Sequence, residues 1–193
     1  VITVSREFGS GGRELGVKLA DALGIPFYDK ELISMAADDI NIAEEAFRKY
    51  DEHVIEDDPL DHKIHHSFSE LYKVPMSDQI FVAQSNVIRR LASHGPCVIV
   101  GRCADYVLRN SANCLKVFFS APLESRIKRV AQRQNISEKE ARAVVQKNEK
   151  LRADNYRYYT RRMWGAAGNF DLSLNTDLGE AYIESCIRSA MKL

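Results

Sequence analysis

Three glycines, Gly9, Gly11 and Gly12, bracket Ser10 near the start of the chain, with Arg6 just before them and Arg13 and Glu14 directly after. Glycine backbone can turn successive N–H groups toward one point, and such a loop at a helix start lies at the positive end of the helix dipole. That arrangement suits an anion, and a phosphate chain above all. Arginines recur later, at Arg102, Arg126, Arg129, Arg133, Arg152 and Arg157, and a forked guanidinium matches phosphate geometry. Phosphoryl transfer asks a protein mainly for positioning and charge neutralisation, and these residue types supply both.

The elements that must position these groups are legible around them. Val1 to Val4 is a β-branched run that reads as a strand, and Leu15, Val17, Leu19, Ala20, Ala22 and Leu23 recur at helical spacing, so the glycines join a strand to a helix. Two known loop patterns share this geometry. A dinucleotide G-x-G-x-x-G/A pattern starting at Gly9 fails at Glu14. A G-x-x-x-x-G-K-[ST] pattern, aligned by helix register, puts Gly11 at its second glycine, Gly12 in the lysine slot and Glu14 in the Ser/Thr slot that normally binds magnesium. The loop shape is kept and the lysine is not. Arg13, Arg6 or arginines farther along are then the candidate replacements. Glu14 either ligates the metal directly or pairs with Arg13.

Gly24 and Pro26 end the first helix, and Ile25 to Asp29 reads as a short second strand. Asp29, at its carboxyl end, either faces a ligand or caps a helix beginning at Glu31. The pattern from Lys30 to Leu91 is helical, broken at Asp57-Asp58-Pro59 and Val74-Pro75, and Met76 to Ser93 reads as one long amphipathic helix. His62, His65 and His66 share a helix face, but no distant ligand matches them, so solvated surface is the preferred reading over a metal site. Cys97 to Val100 and Leu115 to Ser120 are near-continuous apolar runs, as expected of parallel strands buried on both faces. Arg102 follows the first of these at its carboxyl end, either as a sheet-end ion pair or, preferably, as a forked donor to a phosphate, with Asp105 placed to orient it. Ser137 and Glu140 form a capping box that starts a second arginine-bearing helix after the one carrying Arg126, Arg129 and Arg133. Phe170 to Asn175 gives a fifth strand and Leu178 to Met191 a terminal helix.

The chain of 193 residues, 45% hydrophobic, suits one compact domain. Its formal net charge is zero but unevenly spread: Asp38 to Asp61 has ten acidic residues against two basic, and Arg126 to Arg162 has twelve basic against four acidic. Four cysteines without a C-x-x-C pair read as reduced packing residues. No apolar run approaches a membrane span, and no basic-then-apolar leader opens the sequence, so a cytoplasmic protein without membrane contact is expected. Tyrosines among the late arginines could stack on single-stranded nucleic acid, but the neutral charge and lack of an RNA-binding motif disfavour it.

The run from Ile2 to Asp29 resembles the opening of the cytidylate kinase-like branch of P-loop nucleoside monophosphate kinases, where SRE-x-G-S-G-G-R-E replaces the lysine-containing loop. Val98 to Arg102 with Asp105 resembles the Gly-Arg-Asp element of that family, with Cys103 standing where its aspartate would be. Val117 to Pro122 with Arg126 and Arg129 resembles the fourth strand and the lid, and Trp164, Phe170 to Leu172, Asn175 and Thr176 resemble the strand that closes the sheet. The resemblance implies a P-loop NTPase-like three-layer α/β/α fold with a five-stranded parallel sheet ordered 2-3-1-4-5. It divides a single domain into a core (1–30, 94–122 and 165–193), a helical acceptor-binding insertion (31–93) and a lid with arginine-rich helices (123–164). It also implies ATP and Mg2+ as cofactors and a small phosphorylated acceptor, cytidylate first. Gly9, Ser10, Gly11, Gly12, Arg13 and Glu14 would hold the nucleotide phosphates, with Glu14 as the Mg2+ ligand. Arg6, Arg13, Arg126 and Arg129 would neutralise charge during transfer. Asp29, Arg102, Asp105, Arg152 and Arg157 would serve the acceptor. The alternative is a nucleotide-binding sensor or scaffold that has lost transfer activity, and the oligomeric state is left open.

Overall fold

A computed structural model describes residues 1–41, 43 and 75–191. The centre of the fold is a five-stranded parallel sheet in the order β2-β3-β1-β4-β5, as the resemblance implied. Its strands are β1 (Ile2–Arg6), β2 (Phe27–Tyr28), β3 (Val98–Val100), β4 (Leu115–Ser120) and β5 (Leu172–Asn175). The helices are α1 (Gly12–Leu23), α2 (Glu31–Asp39), α3 (Met76–His94), α4 (Ala104–Val107), α5 (Leu123–Gln134), α6 (Glu138–Thr160) and α7 (Glu180–Met191).

β1 is the central strand: Ile2 is in register with Val98 on one side and Leu115 on the other, and all five of its residues are buried. The period-2 alternation of a strand then divides its side chains between two layers. Ile2 and Val4 join Val98, Val100, Val117 and Phe119 under Leu19 of α1 and Ile183 and Ile187 of α7. On the opposite face, Ile99 packs with Leu32, Val87, Ile88 and Ala104 from α2, α3 and α4. Side chains fully buried in this way contribute roughly 1.5–3 kcal/mol each, which makes the sheet and its two helical layers the bulk of the stability. A third cluster, Ile127, Val130, Ala131, Ala141 and Val145, joins α5 to α6 as an antiparallel hairpin, with Phe8 of the glycine loop packed against it.

Several boundaries shift from the sequence expectation for local reasons. β2 keeps only Phe27 and Tyr28, because the Ile25 N–H is used to close α1 on the Ala20 carbonyl and the Asp29 side chain turns to Arg13. Gly24 closes α1 in the left-handed conformation as read. α7 begins at Glu180 instead of Leu178, since Thr176–Leu178 is a single 3-10 turn followed by Gly179 at φ 95°. The capping box at α6 forms in full, with the Ser137 hydroxyl accepting from the Glu140 N–H and the Glu140 carboxylate accepting from the Ser137 N–H. The histidine cluster and most of the acidic segment lie outside the described residues. No helix among the described residues is long and apolar enough to cross a membrane.

Candidate active site

Two candidate cavities lie near the carboxyl end of β1, where an open parallel sheet places its crevice, one lined by Ser5 and Arg6 of the strand and the other by Gly9 and Gly11 of the loop after it. The first is built on the glycine loop: Gly9, Gly11 and Glu14 with Arg129, Gln132 and Arg133 of α5. Gly9 and Gly11 have φ of 80° and 81°, the left-handed region, and Gly11 is the N-cap of α1. A Cβ on Gly11 would meet nothing within 4 Å, so the loop has an open concave side there, as an anion cradle requires. The loop is braced from behind. The Ser10 carbonyl accepts from the Thr176 hydroxyl at 2.6 Å and from Arg129 at 3.1 Å, and the Ser10 hydroxyl accepts from the Gly12 N–H.

Gly12 explains why the loop has no lysine. A Cβ at this position would lie 2.8 Å from the Arg6 Cβ and 2.9 Å from the Phe119 Cβ. The side-chain slot after the second glycine is already filled by the stem of Arg6 and by a core phenylalanine. A real Cβ does not approach others so closely, and both neighbours are fixed to sheet backbone.

The second cavity is a cleft of roughly 580 Å3 of partly open space between β1, β3, α3 and α6. Arg6, Arg102 and Arg152 line it together with Phe81, Gln84, Asn155, Tyr159 and Trp164, and no carboxylate does so among the described residues. Arg102 enters from a strained segment: Gly101, Arg102 and Cys103 have φ of 78°, 54° and 53° in succession. Two non-glycine residues in the left-handed region cost about 1–2 kcal/mol each, and such strain persists where the surrounding structure demands a particular aim. Phe81 and Tyr159 stack at 4.0 Å between ring centroids, forming a flat apolar wall, and burial pushes the Tyr159 hydroxyl up to about 12. Arg152 donates to the Arg6 carbonyl at 3.0 Å, tying α6 to the end of β1.

Asp105 is 1% exposed behind this cleft and accepts from the Tyr156 hydroxyl at 2.7 Å and the Ser5 hydroxyl at 3.1 Å. Desolvation raises its pKa above the usual carboxylate range, although both hydrogen bonds oppose that rise. Burial first, and then the Asp105 carboxylate, raise the pKa of Tyr156. Both hydroxyl partners line the cleft, so Asp105 fixes the wall and does not itself line the cavity.

The structure redistributes several residues assigned from sequence. Arg126 is 8% exposed and lines neither cavity; its guanidinium donates to the Ala121 and Phe8 carbonyls and to Glu149, bracing the loop against α6. Arg129 does line the loop cavity, paired with Asp177. Arg13 lines neither cavity: its Nε donates to Asp29 at 2.6 Å, and its guanidinium lies over the Phe27 ring. Asp29 therefore neither caps α2, whose N-cap is Lys30, nor lines the acceptor cleft. Glu14 remains at the loop cavity, facing Arg133 at 3.5 Å in place of Arg13. Arg157 is exposed on α6, away from the cleft lining. Glu149, Phe81 and Tyr159 were not singled out as site residues from the sequence. Glu149, Arg152 and Tyr156 share a helix face at i, i+3 and i+7, which was the available signal.

For an ATP phosphate chain with Mg2+, the loop offers the Gly11 backbone at the N-terminus of α1, two flanking arginines and one carboxylate, Glu14. Mg2+ is commonly held by one or two carboxylates together with substrate phosphates, so this donor set fits. Among the described residues no cluster of three His, Cys, Asp or Glu side chains suggests a separate metal site.

A parallel sheet with a glycine loop at the carboxyl end of its central strand, and an arginine-lined cleft beside it, defines a P-loop kinase-like fold. The sequence matches the cytidylate kinase-like family over residues 1–178, and the chain belongs to that family. A cytidylate kinase from Ignicoccus hospitalis is 28% identical over 191 residues, covering 97% of each chain. A crystal structure of an uncharacterized protein from Eubacterium ventriosum is 27% identical with a TM-score of 0.75, covering 99% of this chain and 97% of the other. Shikimate kinase from Bacteroides thetaiotaomicron shares the fold at 14% identity with a TM-score of 0.58, covering 100% of this chain and 98% of its own.

Proposed function

We propose that the protein is an ATP- and Mg2+-dependent kinase that phosphorylates a nucleoside monophosphate, with cytidylate the first candidate. The observation that carries this reading is the placement of two cavities along β1 and the loop that follows it, the glycine loop at one and three arginines, Arg6, Arg102 and Arg152, at the other. The donor phosphates would lie against the glycine loop at the N-terminus of α1, flanked by Arg129 and Arg133, and Glu14 would hold the metal that supplies charge neutralisation. The acceptor phosphate is held by Arg102, Arg152 and Arg6, and its ring lies against the Phe81–Tyr159 wall. An acceptor phosphate oxygen forms the new bond to the γ-phosphorus while the bond from that phosphorus to the β–γ bridging oxygen breaks and ADP departs with the electron pair. No proton need be removed from the nucleophile, since a phosphate oxygen is already anionic, so positioning and charge dominate.

A specific observation supports the second reading, a nucleotide-binding protein without turnover: Arg13 is held by Asp29 and the lysine slot is sterically closed. A monophosphate panel assayed for ADP release decides between them. Turnover with CMP or another monophosphate supports the kinase, whereas nucleotide binding without turnover on any member supports the sensor.

A further inference from the structure

The Glu149 carboxylate joins the two cavities through three donors from separate parts of the chain. Its Oε2 accepts from the Phe8 N–H at 2.8 Å and from Arg126 Nη1 at 3.1 Å, and its Oε1 accepts from the indole N–H of Trp164 at 2.7 Å. Phe8 directly precedes Gly9 of the loop cavity, and Trp164 lines the acceptor cleft. Phe8 is held by further contacts: Arg126 donates to its carbonyl at 3.5 Å, and the guanidinium groups of Arg152 and Arg133 lie 5.1 and 5.8 Å from its ring centroid. Trp164 in turn packs its edge against Tyr156 at 5.2 Å, the residue whose hydroxyl Asp105 holds.

We propose that Glu149 is a positioning residue that couples the occupancy of the nucleotide loop to that of the acceptor cleft. A shift of the loop as it takes up phosphate moves the Phe8 N–H, and with it the carboxylate on which the Trp164 indole is registered. A ligand against Trp164 biases the same carboxylate from the other end. Only a carboxylate serves, because all three partners are donors and each oxygen must accept; an amide has one oxygen and must lose a partner. The identity of the two ligands rests on the proposed kinase reading. The coupling itself rests on this hydrogen-bonded bridge.

The test uses ADP with Mg2+ and CMP, a pair that cannot react, and the protein's one tryptophan, Trp164. In the parent protein ADP alone should change Trp164 emission, and calorimetry should show CMP binding tighter with ADP present than without it, by at least about 5-fold, the lower end of ordinary site coupling. Glu149→Gln should bind each ligand alone while the coupling factor falls toward one and the ADP-induced emission change disappears. Trp164→Phe keeps an aromatic ring and removes the indole N–H, so by calorimetry it should lose the coupling as well, and it decides the matter should Glu149→Gln not fold. Retained coupling in either folded variant, or binding of both ligands by the parent without coupling, overturns the inference and leaves the kinase reading standing. Failure of the parent to bind any nucleotide overturns both.

Discussion

Gly12→Ala should destabilise the protein although the position lies in the first turn of a helix, and the size of the loss tests why the loop lacks its lysine. Replacing glycine by alanine inside a helix ordinarily gains roughly 0.5–1 kcal/mol. Here the new Cβ would lie 2.8 Å from the Arg6 Cβ and 2.9 Å from the Phe119 Cβ. Both belong to strands that pair in register, Arg6 with Phe119, so relief requires the helix to lift from the sheet. Overpacking of this kind costs about 1–3 kcal/mol, and no flexible side-chain tip can yield here. The control is Gly16→Ala in the same helix, where the nearest atom is the Phe27 ring edge at 3.3 Å, half-buried and able to give. The propensity gain is common to both variants, so their difference isolates the clash. In urea unfolding followed by Trp164 emission and circular dichroism, Gly12→Ala should be less stable than Gly16→Ala by about 1–3 kcal/mol. At roughly 2–4 °C per kcal/mol for a chain of this size, the melting temperatures should differ by about 2–12 °C. Equal stabilities would refute the steric account of the missing lysine.

Gly11→Val should fold and lose the nucleotide-induced thermal shift, because the open side at Gly11 and its φ of 81° are what a branched side chain removes; an unchanged shift would remove the phosphate-loop assignment. Arg102→Lys should weaken monophosphate affinity and leave ATP affinity nearly intact in calorimetry, since an ammonium cannot reproduce forked donation, and equal losses for both ligands would count against an acceptor role. Arg6→Ala should lower turnover by roughly 100-fold or more while ATP affinity falls less, the scale seen when one preorganised charge-stabilising donor is removed. Arg13→Ala, tied as it is to Asp29, tests the competing candidate; unchanged rates in both variants and in the double mutant would place the cation elsewhere. For pH dependence, the raised pKa of Asp105 means that the folded chain binds more protons than the unfolded chain above the ordinary carboxylate value of 3.8. The stability linked to this proton is therefore complete below 3.8 and lost as pH rises through the folded-state value. Parent minus Asp105→Asn stability from urea unfolding should fall between pH 4 and pH 8, and a difference that rises with pH would contradict the burial argument.

What could be read in the sequence was whatever obeys a local period or a local cap. β4 was bounded at Leu115 and Ser120, the Ser137 capping box formed, and the buried runs of β1 and β3 took their places in the parallel sheet because each signal is written within a few residues. Partners far apart along the chain were not legible. Arg126 was assigned by analogy to a lid, yet it stands three residues after Leu123 and four before Val130, which puts it on the apolar face of α5 and predicts burial. Its charge is tolerated there because Glu149 and two carbonyls receive it. Arg13 and Asp29 were assigned to different ligands and here pair with each other, since the start of α1 stands beside the end of β2. No periodicity encodes that meeting.

The placement of charge says how such a loop would work without its lysine. Arginines at the loop cavity are each matched by a carboxylate, Arg129 by Asp177 and Arg133 by Glu14, so this side carries little unopposed positive charge before substrate arrives. The acceptor cleft gathers Arg6, Arg102 and Arg152. On the proposed reading, nucleotide affinity then rests largely on backbone donors, and the cations that neutralise the transferred group stand on the acceptor side. Arg6 is the pivotal case: its stem fills the lysine slot at Gly12, while a guanidinium nitrogen lies 2.7 Å from where a Gly101 Cβ would stand, at the mouth of the cleft. One side chain therefore occupies the place of the missing lysine and carries its charge across to the acceptor, which is why its removal should be felt in turnover before it is felt in nucleotide binding.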